Sequence, residues 1–172
     1  MRFAIEHRFE VDLATFESHL NHPDLLARLR REVPGLADRA LLDARAEGPI
    51  RTWRFRVRSN EDIPSPARKF LRPDLLSWVE ESTYDDRTHA FRWRTVPDHF
   101  GEFVEASGTA SLAPDGPSAV RRVIEGEVRV RVPLFAGTIE SAIVLRLRRS
   151  YEAVARVERD FLRGIAAVPP VP

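Results

Sequence analysis

The segment WVEESTYD places Glu80 two residues after Trp78 and four residues before Tyr84. Successive side chains of a β-strand point to opposite faces, so these three share one face of a strand. If that face is buried, desolvation raises the pKa of the Glu80 carboxyl toward values useful for acid–base chemistry. The opposite register buries Val79 instead. Because one valine offers less apolar surface than Trp78 and Tyr84 together, the inward register is favoured.

The five histidines do not form a recognisable catalytic or metal-binding set. His7 lies on the apolar side of the first strand, where a lone histidine is usually a hydrogen-bonded core residue. His89 and His99 flank the HAFRW stretch without metal-ligand spacing. His19 and His22 are three residues apart, but the proline that follows makes them a loop pair. The sequence therefore assigns no catalytic residue, no metal and no cofactor.

The composition narrows the class of protein. The 172 residues carry 27 basic and 26 acidic side chains, which gives no nucleic-acid footprint. The absence of cysteine excludes thiol catalysis, disulfides and cysteine-ligated zinc. We find no signal peptide and no transmembrane segment, so the expected location is cytoplasmic. The length predicts one domain over residues 1–167, followed by a frayed C-terminal tail at 168–172.

Alternating apolar and polar residues predict seven strands, most of them neighbours in sequence and therefore antiparallel. In chain order they cover about residues 2–11, 38–46, 52–59, 75–85, 89–96, 102–114 and 124–132.

Helices are predicted in two places. Two short ones follow the first strand, over Leu13–Leu20 with Asp12 as N-cap and over Asp24–Arg31. In VRVRVPLFAGTIESAIVLRL the apolar period changes from two to about 3.6, so the last strand leads into a long helix that begins at Pro133. About 30 residues of helix span on the order of 45 Å, enough to cover the apolar face of the sheet.

This order of elements resembles the helix-grip fold of the START-like (SRPBCC) superfamily, which includes lipid-transfer domains, pollen-allergen-like proteins and polyketide cyclases. The stretches IPSPARKFL, WVEESTYDDRTHAFRW and GEVRVRVPLFAGTIESAI are similar to a bacterial subfamily of unknown function. In its junction motif the matching positions are Val132, Pro133, Leu134, Gly137 and Glu140. The resemblance implies an α+β fold: a curved seven-stranded antiparallel sheet with the long helix across its concave face.

Such folds commonly leave an apolar cavity between helix and sheet, although aromatic residues at these positions could equally pack as a solid core. The residues expected to line the cavity and bind a ligand are Trp53, Phe55, Trp78, Glu80, Tyr84, Phe91, Trp93, Val104, Val130, Phe135, Ile139, Ile143 and Leu147. Among these, Glu80 and Tyr84, together with His7, are expected to orient the ligand.

Small residues at inward positions allow two interpretations. Ala106, Gly108, Ala110 and Gly126 leave room for a ligand, or they let the helix approach the sheet closely. At the helix start, Gly137 either packs closely or lets a ligand or gate pass near the backbone. The carboxylate of Glu140 is favourable beside the helix N-terminus.

Three functions remain open. The favoured one is binding, with transport or sensing, of a hydrophobic or amphipathic small molecule such as a lipid, isoprenoid or polyketide. The second is a cyclase-type or hydrolase-type enzyme that uses Glu80, Tyr84 or a histidine. The third is an interaction module that uses outward-facing arginines, which Glu81, Glu105 and Glu127 are expected to balance. Those arginines are Arg54, Arg56, Arg58, Arg92, Arg94, Arg129 and Arg131.

The loop from Glu61 to Leu76 is long for a hairpin connection and could be a lid. Within it, Phe70 and Leu71 are candidates for peripheral contact with a membrane.

Overall fold

The computed structural model describes residues 1–33, 36–59, 77–99, 101–132 and 134–166. They form seven strands and three helices. In chain order these are β1 (Arg2–Phe9), α1 (Leu13–Ser18), α2 (Pro23–Glu32), β2 (Leu36–Glu47), β3 (Ile50–Ser59), β4 (Ser77–Asp85), β5 (Ala90–Pro97), β6 (Val104–Pro114), β7 (Val120–Val130) and α3 (Ala136–Ala166).

The strands build one antiparallel sheet in the order β1-β7-β6-β5-β4-β3-β2. Strands β2 to β7 pair in chain order, each with its sequence neighbour, and β1 joins the sheet at one edge by pairing with β7. The predicted helix-grip α+β architecture is confirmed. Its expected lid loop at 61–76, including Phe70 and Leu71, lies outside the described residues, as does the tail at 168–172.

The two short helices begin where side chains satisfy their first backbone N–H groups. The Asp12 carboxylate accepts a hydrogen bond from the backbone N–H of Thr15 at 2.9 Å, as the predicted N-cap does. At the second helix the cap is His22, whose Nδ1 accepts from the N–H of Asp24 at 3.3 Å. Pro23 therefore occupies the first helical position, one residue earlier than predicted.

The junction between β7 and α3 differs from the prediction. The strand ends at Val130 and the helix begins at Ala136, while the expected helix start, Pro133, lies outside the described residues. Glu140 links the two elements because its carboxylate accepts the backbone N–H of Val130 at 2.9 Å. This hydrogen bond is the main reason why the pKa of Glu140 is lowered. An added Cβ at Gly137 would meet nothing within 4 Å, so the expected close packing there is wrong.

Helix α3 lies across the concave face of the sheet and supplies residues to each of the three core clusters. Near its start, Ile139 and Val144 pack on β6, β7 and β1. Towards its end, Ala155 and Leu162 pack with residues of β1, β4 and α1, and Val157 packs against α2. Within the described residues, no helix is both long and apolar enough to cross a membrane.

Candidate ligand-binding cavity

A cavity of about 270 Å³ lies between the helices and the concave face of the sheet. The sheet contributes Arg39, Val57, Trp78, Glu80, Ser82, Phe91, Trp93, Thr95, Ala106, Ala110, Arg122 and Ile124. The helices and the α1–α2 connection contribute Phe16, His19, Leu20, Asn21, Leu25, Leu26, Leu29, Leu147, Ser150, Tyr151, Val154, Glu158 and Leu162.

Five of the thirteen predicted lining residues reach this cavity. Trp78, Glu80, Phe91 and Trp93 extend from β4 and β5, and Leu147 faces them from α3. The structure therefore adopts the inward register of β4, in which Glu80 shares the cavity face with Trp78. Val79, on the opposite face of β4, is also buried, at 7% exposure. The alternation of apolar and polar residues alone did not predict that both faces of β4 are buried here.

Three predicted residues on β3 and β4 do not line the cavity. The Arg39 guanidinium lies 3.7 Å from the centroid of the Phe55 ring and covers it. Trp53 and Tyr84 pack against Phe91, with ring centroids 6.3 Å and 4.4 Å away. Tyr84 is fully buried and its hydroxyl donates to the Glu17 carboxylate, so it is not positioned to orient a ligand.

The remaining five lie near the start of α3. There Val130 and Ile139 are buried in one core cluster, and the half-buried Val104 and Ile143 pack against it. Phe135 precedes the helix and is 39% exposed, because α3 begins later than predicted. None of these five residues lines the cavity described above.

The small inward residues have two roles. Ala106 and Ala110 line the cavity, where their short side chains leave room. Gly108 and Gly126 instead lie beneath the indole of Trp93, where an added Cβ would come within 2.7 Å of its Cζ2 atom. The space at the glycines is therefore filled by Trp93.

An ion pair forms one polar side of the cavity. Arg39 Nη2 on β2 donates to Glu80 Oε1 on β4 at 3.2 Å, across the intervening strand β3. The Arg39 side chain is 14% exposed and that of Glu80 is 34% exposed. The carboxylate expected to act as an acid or base is thus held by an arginine.

A second ion pair, more deeply buried, forms the other polar side. Arg122 on β7 donates from Nη1 to Glu158 Oε1 on α3 at 3.0 Å, and Nη2 lies 2.8 Å from Oε2. The same Nη2 lies 3.3 Å from His7 Nδ1. Because arginine has no acceptor, His7 Nδ1 accepts and its proton is on Nε2, which lies 3.3 Å from Glu152.

The ionisation of His7 follows from this environment. Burial lowers its pKa, and the positive charge of Arg122 lowers it further. The imidazole of His7 is therefore neutral in the folded protein near pH 7. His7 is a hydrogen-bonded core residue, as the simpler reading of the sequence expected, and it does not line the cavity.

Tyr151 contributes a hydroxyl from α3. Burial raises the pKa of this phenol, and the negative charge of Glu80 raises it further. Tyr151 makes no hydrogen bond to another described side chain, so its neutral hydroxyl is available both to donate and to accept.

Sequence reasoning placed Glu80 in the cavity but missed Arg39, Arg122, Tyr151 and Glu158, although signals point to three of these four residues. Arg122 lies two residues before Ile124, so extending the inward alternation of β7 by one step finds it. Tyr151 and Glu158 follow Leu147 and Val154 at spacings of three or four residues, so they share one face of α3 with these apolar residues. For Arg39 no comparable signal exists, because its partner is 41 residues away.

The outward face of the sheet carries ion pairs, as expected. Arg54 and Arg94 both bind Glu81, at 3.1 Å and 2.6 Å. Arg129 pairs with Glu127 at 2.9 Å and Arg131 with Glu105 at 2.8 Å, while Arg56 pairs with Asp98 at 3.0 Å. These arginines are therefore neutralised locally.

Solved structures of the same architecture cover nearly the whole chain at low sequence identity. An aromatase/cyclase of a Streptomyces species has a TM-score of 0.66 at 11% identity, covering 100% of both chains. A START superfamily protein from Mycobacterium smegmatis has a TM-score of 0.59 at 14% identity, covering 95% of this chain and 98% of that one. Norcoclaurine synthase from Thalictrum flavum, solved with dopamine and hydroxybenzaldehyde, has a TM-score of 0.57 at 14% identity, covering 91% and 85%.

A seven-stranded sheet that holds a long C-terminal helix is the helix-grip fold, which these solved structures share, so the predicted resemblance in fold is confirmed. Within that class, the chain belongs to the family described as "Protein of unknown function (DUF2505)", whose model matches residues 4–162. No curated protein matches the sequence.

Proposed function

We propose that this protein binds a hydrophobic or amphipathic small molecule in the cavity between the sheet and α3. The observation that supports this most directly is the cavity itself, whose walls are mostly aliphatic and aromatic. Transfer of apolar surface from water into such a site contributes about 25 cal/mol per Å² before the costs of association.

The size of the cavity favours a small ligand. Its volume of about 270 Å³ lies just below the ~300–1,000 Å³ that is typical of ligand pockets. This supports a single-ring or fused-ring molecule, a short isoprenoid or a small polyketide over a two-chain lipid. The architecture is compatible with such ligands, since the norcoclaurine synthase structure of the same fold contains dopamine and hydroxybenzaldehyde.

The direct test is native mass spectrometry of protein purified from its own organism, together with organic extraction of bound molecules. We expect a bound apolar species in substoichiometric to equimolar amount. A cavity-filling variant, Ala106→Phe, should be purified without it. The matched control is Ser107→Phe on the exposed face of the same strand. Equal ligand content in the two variants would contradict the proposed site.

Two further expectations stay predictions: a cytoplasmic location, and membrane contact through Phe70 and Leu71. Loss of vesicle binding on replacing both residues with serine would support the second.

A further inference from the structure

The geometry points to an uncharged ligand that carries at least one hydroxyl or carbonyl oxygen. This inference rests on the proposed function, because it concerns the ligand of the same cavity. It follows from the ion pairs that the charged lining residues form and from the hydroxyl groups that line the same cavity.

Among the described residues, the four charged lining residues form two ion pairs. Arg39 binds Glu80, with Nη2 and Oε1 3.2 Å apart, and Arg122 binds Glu158 through two nitrogen–oxygen contacts of 3.0 and 2.8 Å. The carboxylate of an anionic ligand would therefore enter a site with no unpaired cation among these residues. Placing an unpaired charge in a partly dry environment is costly, so ionised ligands are disfavoured.

The lining also contributes hydroxyl groups. Tyr151, Ser82 and Ser150 face the cavity and make no side-chain hydrogen bond with another residue in the described ranges. Tyr151 lies close enough to both ion pairs for the charges of Glu80, Arg122 and Arg39 to affect the pKa of its hydroxyl. A ligand oxygen beside Tyr151 would satisfy a hydroxyl that a pure hydrocarbon would leave without a partner.

The remaining walls suit a flat or cyclic apolar body. Trp78, Phe91 and Trp93 provide ring surfaces on the sheet side, and Leu29 and Leu147 provide aliphatic surface on the helix side. Aromatic rings pack well against such surfaces in offset or edge contacts. The ligand class is therefore a compact, uncharged and oxygenated ring compound.

Three probes of one ring system separate the contributions: naphthalene, naphthol and naphthoate, titrated by calorimetry near neutral pH. Naphthol keeps its proton there, whereas naphthoate is ionised. We expect naphthol to bind about five-fold more tightly than naphthalene, because one hydrogen bond is gained, and naphthoate to bind more weakly than either. Equal affinities for the three probes, or tightest binding of naphthoate, would overturn the inference while leaving the cavity as a binding site.

Two variants test which residues cause the preference for naphthol and the weak binding of naphthoate. Tyr151→Phe should reduce the naphthol-to-naphthalene affinity ratio about five-fold. The control Tyr84→Phe removes the other phenol, which is bound to Glu17 outside the cavity, and should leave the ratio as it is. Glu80→Gln frees the charge of Arg39 and should therefore increase naphthoate affinity several-fold.

The outcomes distinguish the two levels of the proposal. If none of the three probes binds, the proposed function fails and this inference fails with it. If the probes bind but Tyr151→Phe and Glu80→Gln leave their relative affinities unchanged, only the inference fails.

Discussion

The indole of Trp93 on β5 occupies the space above Gly126 on β7, two strands away. A Cβ atom at residue 126 would lie 2.7 Å from Trp93 Cζ2 and 2.7 Å from Phe3 Cζ on β1. Gly108 on the strand between them is directly paired with both Trp93 and Gly126. Trp93 thus covers both glycines, and Phe3 covers Gly126 as well.

This contact predicts that Gly126→Ala destabilises the fold. Contacts of 2.7 Å force either ring, or the strand, to move, and overpacking of this kind costs about 2 kcal/mol. Urea unfolding followed by circular dichroism measures the loss. Because Trp93 would shift, its fluorescence should change as well.

The matched control is Gly137→Ala in the first turn of α3. An added Cβ meets nothing within 4 Å there, and alanine is the better helix former by up to about 1 kcal/mol. The control should therefore unfold at an equal or higher urea concentration than the wild type. Equal destabilisation by both substitutions would contradict the role assigned to the contact between Trp93 and Gly126.

The architecture could be predicted because the apolar pattern of the strands and that of the long helix both agree with the fold that they form. Strict alternation in TWRFRVRS and in the strand around Val128 fixes which face is buried, and the change of period after Val132 marks the long helix. What failed was the exact helix start. The helix begins at Ala136, and the Glu140 carboxylate near its start accepts the backbone N–H of Val130, which ties α3 to the end of β7.

The cavity lining was harder to predict because the alternation of residues along a strand identifies which face of the sheet a side chain is on, but not where on that face the cavity lies. Phe55 has the correct parity, yet Arg39 from the adjacent strand covers it. Val104 and Ile143 also face inward, but they pack against a core cluster near the start of α3 and do not line the cavity. Which part of a sheet a helix leaves uncovered depends on the tilt of the helix, and no local sequence pattern encodes that tilt.

The Arg122–Glu158 pair predicts a large coupling energy between α3 and β7. Both side chains are nearly buried, at 10% and 13% exposure. Removing only one partner leaves a buried charge, so Arg122→Leu and Glu158→Leu should each cost about 3 kcal/mol in the free energy of unfolding. The double variant should cost much less than the sum. A double-mutant cycle by urea unfolding measures the coupling.

The control cycle uses the exposed pair Asp160 and Arg163 on the same helix, 3.0 Å apart. Surface pairs at this spacing contribute about 0.3 kcal/mol, so the two cycles should differ by a wide margin. Equal coupling in the two cycles would show that Arg122 and Glu158 are not paired in a dry environment.

The lowered pKa of His7 predicts a stability that depends on pH. The unfolded chain binds a proton at His7 near pH 6.5, but the folded protein does so only at lower pH. Folding therefore favours the neutral imidazole, and this part of the stability is present above about pH 6.5 and is lost as the pH falls through the folded pKa. The charges facing His7 are Arg122, Arg159, Glu152 and Glu158.

The measurement is the free energy of unfolding against pH for the wild type and for His7→Gln, whose amide oxygen can still accept from Arg122. The wild type should lose stability more steeply below about pH 6.5, because the variant has nothing to protonate at this position. The other histidines are the same in both proteins and cancel in the comparison. Identical slopes would mean that His7 is protonated as easily in the fold as in the unfolded chain.

The two tyrosines of the chain predict an unusual alkaline titration. Burial is the main cause that raises the pKa of both Tyr84 and Tyr151, and the negative charges of Glu17 and Glu80 add to it. Native protein should therefore show little tyrosinate absorbance near pH 10, where the urea-unfolded chain should be half ionised. Since the fold retains both phenol protons, the free energy of unfolding falls as the pH rises above about 10, and tyrosinate should form together with unfolding.

The variants Tyr84→Phe and Tyr151→Phe each leave one phenol, so each titration reports on a single tyrosine. A native titration midpoint near pH 10 in either variant would show that its remaining tyrosine is solvated.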